Sequence, residues 1–315
     1  MFNDASKSSS LTPLLAAIVL TYNEEIHIGR CLRSIEQFCD EIYVVDSFST
    51  DRTVAIAVAH GAKVLQNPFV NQSVQFQWAL DHIETRAGWL FRIDADEVAE
   101  GDLADEVKTK LRTLPDEIVG VCLNRKHIFL GRWIAHGGRY PLYLLRIWRH
   151  GFGRVENKWM DEHIITWGGK VINFEGGFCD HNLKNISFFI EKHNQYATRE
   201  AVDVFARRCG LPGFIDQGNE GLGVQAFRKR LLKQSFYEKL PFPVGPLIYF
   251  IYRYTVQLGF LDGLEGVIYH TLQGFWYRFL VGAKLFELEQ AIHCYDEANK
   301  IRDDIERLTG LKLFC

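Results

Sequence analysis

Apolar runs and amphipathic stretches take turns along the first third of the chain. Leu14 to Leu20 is continuously apolar, the pattern of a central parallel strand buried on both faces. Ile26 to Phe38 then repeats apolar residues at helical spacing. The cycle repeats with a strand at Ile42 to Val45, a helix at Arg52 to His60 stopped by Gly61, and a strand at Ala62 to Leu65. A helix at Gln72 to Ile83 leads into the aromatic strand Trp89 to Ile93. Strands alternating with helices at this spacing predict βαβ units and a doubly wound, mostly parallel α/β sheet. Further on, the pattern predicts a helix at Asp102 to Leu111 and strands at Val119 to Leu123, Tyr143 to Trp148 and Lys170 to Phe174. The chain reads as irregular from Asn124, and a long helix spans Ile186 to Arg207. The expected organisation is a frayed tail over 1–13, a catalytic domain over 14–208 with halves 14–113 and 114–208, and a helical region over 209–315.

The first strands all end in polar clusters: Thr21-Tyr22-Asn23-Glu24, Asp46-Ser47, and Asp94-Ala95-Asp96-Glu97. In open α/β sheets ligands bind at the carboxyl ends of strands. Acids crowded at one strand tip repel one another, so positive groups are expected nearby. Asp94 and Asp96, one small residue apart, can face one hard cation such as Mg²⁺ or Mn²⁺, whose remaining positions go to water and phosphate oxygens. The plainer alternative is a strand end followed by a helix capped by Asp96 or Asp102.

Three stretches in order, V-L-T-Y-N-E-E, V-V-D-S-F-S-T-D-R-T and R-I-D-A-D-E, resemble the family 2 glycosyltransferases with the GT-A fold. The resemblance covers roughly residues 14–180. It implies inverting sugar transfer from a nucleotide-diphosphate sugar, with a Rossmann-like nucleotide-binding half. By position, Thr21, Tyr22, Asn23, Glu24 and Asp46 would line the nucleoside pocket. Asp94, Ala95 and Asp96 would handle the metal and the ribose–diphosphate. Gln77 matches a segment under the nucleotide that is usually richer in Lys or Arg; an exposed helix face is the alternative for Gln75 and Gln77. His136 and Arg139 are candidates for donor sugar or phosphate, unless Gly137-Gly138 is simply a turn. Inverting transfer needs a base on the acceptor hydroxyl. The pair Asp161-Glu162 supplies two candidates, of which Glu162 matches the family's Glu-His better, and both as surface acids remains open. His163 and His193 read as packed histidines, and Asp180 and His181 as acceptor-side or metal-side contacts or a helix start. Lys192 to Ala197 resembles a segment of relatives that build cell-surface polysaccharide and lipopolysaccharide core.

Composition narrows the setting. With 315 residues, 47% hydrophobic and 24% charged, the chain is ordinary globular material. A net charge of -3 gives no reason to expect nucleic acid. Seven scattered cysteines without a C-x-x-C predict free thiols in a reducing compartment, and the polar start lacks a signal-peptide pattern. These features predict a cytoplasmic location. Residues 209–222 read as a hinge, and Arg228, Lys229, Arg230 and Lys233 form a basic cluster before the apolar, aromatic stretches Leu247 to Phe260 and Leu264 to Phe286. No uncharged stretch reaches the length of a membrane span. Basic residues beside aromatics such as Trp276 suit peripheral attachment to the inner face of the cell membrane, next to a lipid-linked or glycan acceptor. A buried helical subdomain or a homodimer interface through these helices is the alternative. Rival functions are a catalytically silent nucleotide-sugar-binding scaffold and a nucleotidyltransferase; the latter lacks its usual Gly-rich, basic N-terminal signature.

Overall fold

The computed structural model of the protein describes residues 12–156, 162–212, 214, 242–294 and 297–312. The expected tail therefore lies, apart from Thr12 and Pro13, outside the described residues. In chain order the first half contains β1 (Leu15–Thr21), α1 (Ile28–Ile35), β2 (Glu41–Asp46), α2 (Thr53–Ala59), β3 (Lys63–Gln66), α3 (Gln72–His82) and β4 (Trp89–Asp94). Next come β5 (Glu97–Ala99), α4 (Gly101–Lys110), β6 (Ile118–Phe129), β7 (Arg132–Trp133), β8 (Tyr143–Arg149), β9 (Gly153–Val155), β10 (Ile164–Thr166) and β11 (Lys170–His181). The main sheet has nine strands in the order β3-β2-β1-β4-β8-β6-β11-β5, with β7 attached to β6. β3, β2, β1 and β4 are parallel, as the alternating pattern requires. Beyond β4 the sheet is mixed: β8 runs antiparallel to both β4 and β6, while β11 is parallel to β6.

The apolar runs are continuous because this half of the sheet is covered on both faces. Ala17, Val19, Phe91 and Ile93 pack with Ile28, Leu32 and Ile35 of α1 and Leu103 and Val107 of α4. Ala16, Ile18, Val45 and Leu90 pack on the other side with Phe76 and Ala79 of α3 and with Trp148. Each such large side chain, fully buried, contributes roughly 1.5–3 kcal/mol. Register then sets the rim, since Leu20 pairs with Asp94 and Thr21 with Asp46.

Two strands are longer than the pattern predicted. β6 continues through Asn124 to Phe129, and β11 runs on to His181 past a register shift between Asn173 and Gly177. Gly177 is required there because a Cβ would sit 2.2 Å from the Asn124 carbonyl oxygen. The extension delivers Asp180 and His181 to the rim, opposite Glu97 and Ile128 in register.

The C-terminal region is built onto the sheet domain. It contains α6 (Val244–Ile251), a π-helical turn (Tyr252–Val256), a 3-10 turn (Gly259–Asp262), α7 (Gly263–Tyr269), a second π-helical stretch (His270–Trp276), α8 (Tyr277–Ala291) and α9 (Ala298–Thr309). The long helix α5 (Ile186–Arg208) shares a core with them: Val202 and Phe205 pack with Leu288, Ile292, Ile301 and Ile305. This packing joins Cys209 to Cys294 in a disulfide, 85 residues apart in sequence. The expectation of unpaired thiols is corrected at these two positions, because only the docking of α5 against the end of α8 brings them together. Cys31, Cys39, Cys122 and Cys179 are free. Among the described residues no helix is long and apolar enough to cross a membrane.

Candidate active site

The loops after β1 and β2 hold each other in place. Asn23 adopts the left-handed region (φ 52°), which its short polar side chain tolerates. Its N–H donates to Ser49 Oγ at 2.9 Å, and its Oδ1 accepts the Thr50 N–H at 2.8 Å. Asp46 is fully buried, and its Oδ2 accepts from Ser49 N–H and Gln66 Nε2, both at 3.0 Å. It therefore shapes the floor of the rim, while the Tyr22 ring stands exposed above it. Glu24 pairs with His27 and, at 2.9 Å, with Lys184. Burial opposes its ionisation, but these two partners hold its pKa below the usual carboxylate value. His27 Nε2 accepts the Leu183 N–H at 2.8 Å, so Nδ1 carries the hydrogen donated to Glu24.

The acids at the end of β4 sit in a cage of guanidiniums. Arg92 and Asp94 project from the same strand face, two residues apart. Arg92 lies over the Phe76 ring, donates to Glu162 Oε1 at 2.8 Å, and has its Nε 3.7 Å from Asp94 Oδ1. Arg146 of β8 pairs with Glu97 at 2.6 Å and approaches Asp94 Oδ2 at 3.9 Å. Burial opposes a charge on Asp94, yet Arg92 and Arg146 keep its pKa low. For Glu97 burial prevails and its pKa is raised despite Arg146. Asp96, beyond the bend after the buried Ala95, accepts from Asn182 Nδ2 at 2.9 Å, and burial raises its pKa. Asp180 accepts from His127 Nδ1 at 3.0 Å and lies 3.7 Å from Arg125. Although burial opposes this, His127 and Arg125 push the Asp180 pKa far down. Burial opposes the charge on Lys192 of α5, but Tyr196, Asp96, Asp180 and Glu24 raise its pKa.

The described candidates fall into two groups. Thr21, Tyr22, Asn23, Glu24 and Asp46 share one stretch of rim with Asp94 and Asp96, and Glu162 joins them through Arg92. Gln77 faces elsewhere: its Oε1 accepts the Val155 N–H at 3.2 Å and its Nε2 donates to Asp81. The neighbouring Gln75, only 1% exposed, donates to Ser47 Oγ at 3.1 Å. His136 is bound to Asp262 of the C-terminal region at 2.6 Å, and Arg139 lies over the Tyr269 ring. His193 stacks on Phe189 and donates through Nδ1 to its carbonyl. His163 Nδ1 lies 3.6 Å from Glu156. Asp161, Arg228, Lys229, Arg230 and Lys233 lie outside the described residues, and Trp276 is half-buried in the second π-helical stretch.

A Glycosyl transferase family 2 model matches residues 16–175, about half of the chain. The chain belongs to glycosyl transferase family 2. Among its relatives, the lipopolysaccharide core biosynthesis glycosyltransferase LpsC of Rhizobium meliloti (strain 1021) is 29% identical over 286 residues, covering 87% of this chain and 92% of LpsC. An uncharacterized glycosyltransferase of Rickettsia bellii (strain RML369-C) is 40% identical over 103 residues, only 32% of this chain and 34% of that protein. Among solved structures, the mannosyltransferase PcManGT from Pyrobaculum calidifontis, in complex with GDP-Man and Mn²⁺, is 16% identical, with a TM-score of 0.41 over 90% of this chain and 77% of that one. This family 2 member carries its polar cluster at the carboxyl edge of β1, β2 and β4, within the matched residues.

The carboxylates admit one divalent ion in a particular way. Asp94 is flanked by two guanidiniums, and among the described residues no three His, Cys, Asp or Glu converge as a ready-made metal cage. Asp96 has one oxygen on Asn182 and, among the described residues, no hydrogen bond to the other. That suits an ion taking one protein carboxylate and completing its shell with water and phosphate.

Sequence reading missed several partners of this site. Arg92 could have been found, since a basic residue two positions before the first acid shares its strand face. Arg30, whose guanidinium reaches the carbonyls of Asp96 and His181 from α1, left no such signal. Nor did Lys184, whereas Lys192 lies in the segment Lys192 to Ala197 marked by the resemblance, with no role attached to it.

Proposed function

We propose that the protein is an inverting glycosyltransferase that moves a sugar from a nucleotide-diphosphate sugar to a hydroxyl of a glycan acceptor. The observation carrying this reading is a concentration of unanswered polar atoms at the rim. Among the described residues Thr21 Oγ1, Arg146 Nη1 and His127 Nε2 are buried without a hydrogen-bond partner, as are Arg92 Nε and Asp94 Oδ1, which face each other only at 3.7 Å. Such atoms are rare in folded proteins and, gathered at one edge, mark a place for a polar ligand. Tyr22, Glu24 and the floor built on Asp46 take the nucleoside. Arg146 and Lys192 face the diphosphate, and Glu162, oriented by Arg92, takes the proton of the attacking hydroxyl. Asp96, assisted by Asp94, would hold Mg²⁺ or Mn²⁺, which when bound neutralises charge on the departing diphosphate.

Similarity to LpsC along most of both chains supports an acceptor in bacterial lipopolysaccharide core or surface polysaccharide, carried on a lipid. An acceptor on a lipid places the enzyme at the inner face of the cell membrane. Leu247, Ile248, Ile251, Val256, Leu261 and Leu264 of the C-terminal region are all exposed, a surface suited to the interface between headgroups and acyl chains. Retention of the protein by anionic vesicles is the expected result; a stable dimer that ignores vesicles would assign this face to a second copy instead.

The central test is a panel of UDP-, GDP- and dTDP-sugars incubated with Mn²⁺ and acceptor extract, with release of nucleoside diphosphate measured. Turnover with one donor is expected. Tight donor binding with no release under any condition would mean a silent scaffold.

A further inference from the structure

Residues 135–139 form a short loop between β7 and β8, and almost every polar group at its start is answered by the C-terminal region. Asp262, 2% exposed, accepts from the backbone N–H of Ala135 at 3.2 Å, from that of His136 at 3.0 Å and from His136 Nδ1 at 2.6 Å. Arg253, also 2% exposed, donates through Nε to the Gly137 carbonyl at 2.8 Å, and the Gly137 N–H donates to the Gln257 carbonyl at 2.8 Å. Gly137 lies so close to His270 that a Cβ would fall 2.2 Å from the ring. Both Gly137 and Gly138 have positive φ, so the loop has one tightly prescribed path.

Arg139 stands at the far end of that path. Its guanidinium lies 5.5 Å over the Tyr269 ring, which packs 4.8 Å from His127, the partner of Asp180. Its Nε is buried without a partner, and among the described residues no hydrogen bond or ion pair engages its guanidinium. Arg139 is half-buried, so its guanidinium, without an internal counter-charge, is open to an anion arriving from solvent. The acids nearby are already committed: Asp180 to His127 and Arg125, Glu97 to Arg146.

We propose that Asp262 and Arg253 are positioning residues for glycosyl transfer, fixing the 135–139 loop so that Arg139 meets the diphosphate of the donor. This rests on the donor reading above. It gives the C-terminal region a part in substrate binding that is separate from any attachment to membranes.

The test measures binding of UDP, GDP and dTDP with Mn²⁺ by calorimetry, beside the corresponding nucleosides. The proteins compared are wild type, Asp262→Asn, Arg139→Ala and the double variant. A lost charge-assisted hydrogen bond corresponds to about a tenfold or greater weakening. Asp262→Asn and Arg139→Ala are each expected to weaken the preferred nucleoside diphosphate by about that factor and to leave its nucleoside unaffected. The double variant is expected to bind no more weakly than Arg139→Ala, because both substitutions remove the same contact. Arg253→Lys, which keeps the charge but removes the Nε donor, repeats the comparison should Asp262→Asn fail to fold. Wild-type affinity in a folded clamp variant, equal losses for nucleoside and nucleotide, or additive losses in the double variant would overturn the clamp alone. Wild-type protein that binds none of the three nucleotides overturns the donor reading together with it.

Discussion

At the ends of β1 and β2, Asp46 is satisfied by Ser49 three residues away, and Asn23 by the loop of the neighbouring strand. The loop at 135–139 is held instead by Asp262, 126 residues beyond His136. The first region is fixed by parallel register and short turns and would keep its shape if the C-terminal region were disturbed. The second has one local backbone bond, from the Arg139 N–H to the His136 carbonyl at 3.3 Å, and takes the rest of its support from the C-terminal region. One enzyme thus combines a rim set by secondary structure with a loop set by docking, and the two should fail differently.

The largest effect is expected inside the rim. Glu162→Gln keeps the hydrogen bond to Arg92 but cannot accept a proton, so the turnover number should fall by about 10²–10⁴ with donor KM nearly unchanged. Comparable loss in the folded clamp variants would erase the distinction between the regions. Arg146→Met comes next. It leaves the buried Glu97 beside Asp94 without its Arg146 hydrogen bond, and an unsatisfied buried polar group costs about 1–3 kcal/mol. Urea unfolding measures this; an unchanged midpoint would mean that water reaches Glu97 freely.

The clamp should reveal itself through pH. Burial, with Arg253 nearby, pulls the His270 pKa down from 6.5 to about 4. Below pH 6.5 the unfolded chain therefore binds a proton that the folded protein refuses. The His270 contribution is complete above that pH and is lost as pH falls towards 4, by up to about 3 kcal/mol. Urea midpoints at about pH 7.5 and about pH 4.5 should differ more for wild type than for His270→Gln. Identical differences would assign the acid sensitivity to other groups. Activity assayed above pH 6.5 should show none of this dependence.

Much of the rim was legible because the apolar runs of β1, β2 and β4 end in step with their polar clusters. A strand buried on both faces must be apolar throughout, so its end shows in the sequence. The lengths of β6 and β11 were not legible. Asn124 to Phe129 mixes polar and apolar residues, and Gly176-Gly177 obscures a strand that continues because Asn124 lies against it. Asp180 was noticed as a candidate, but its pairing with His127 depends on that register.

The sequence by itself determined the order of strands and helices in the first half, the family, and which acids would stand at the sheet's edge. These follow from periodicity and from short-range chemistry, which residue order encodes directly. Tertiary structure alone decided which cations answer those acids, that Cys209 meets Cys294, and that Asp262 and Arg253 hold a loop of the other half. Each joins residues distant along the chain, and such meetings depend on how packed surfaces dock, which local patterns do not record.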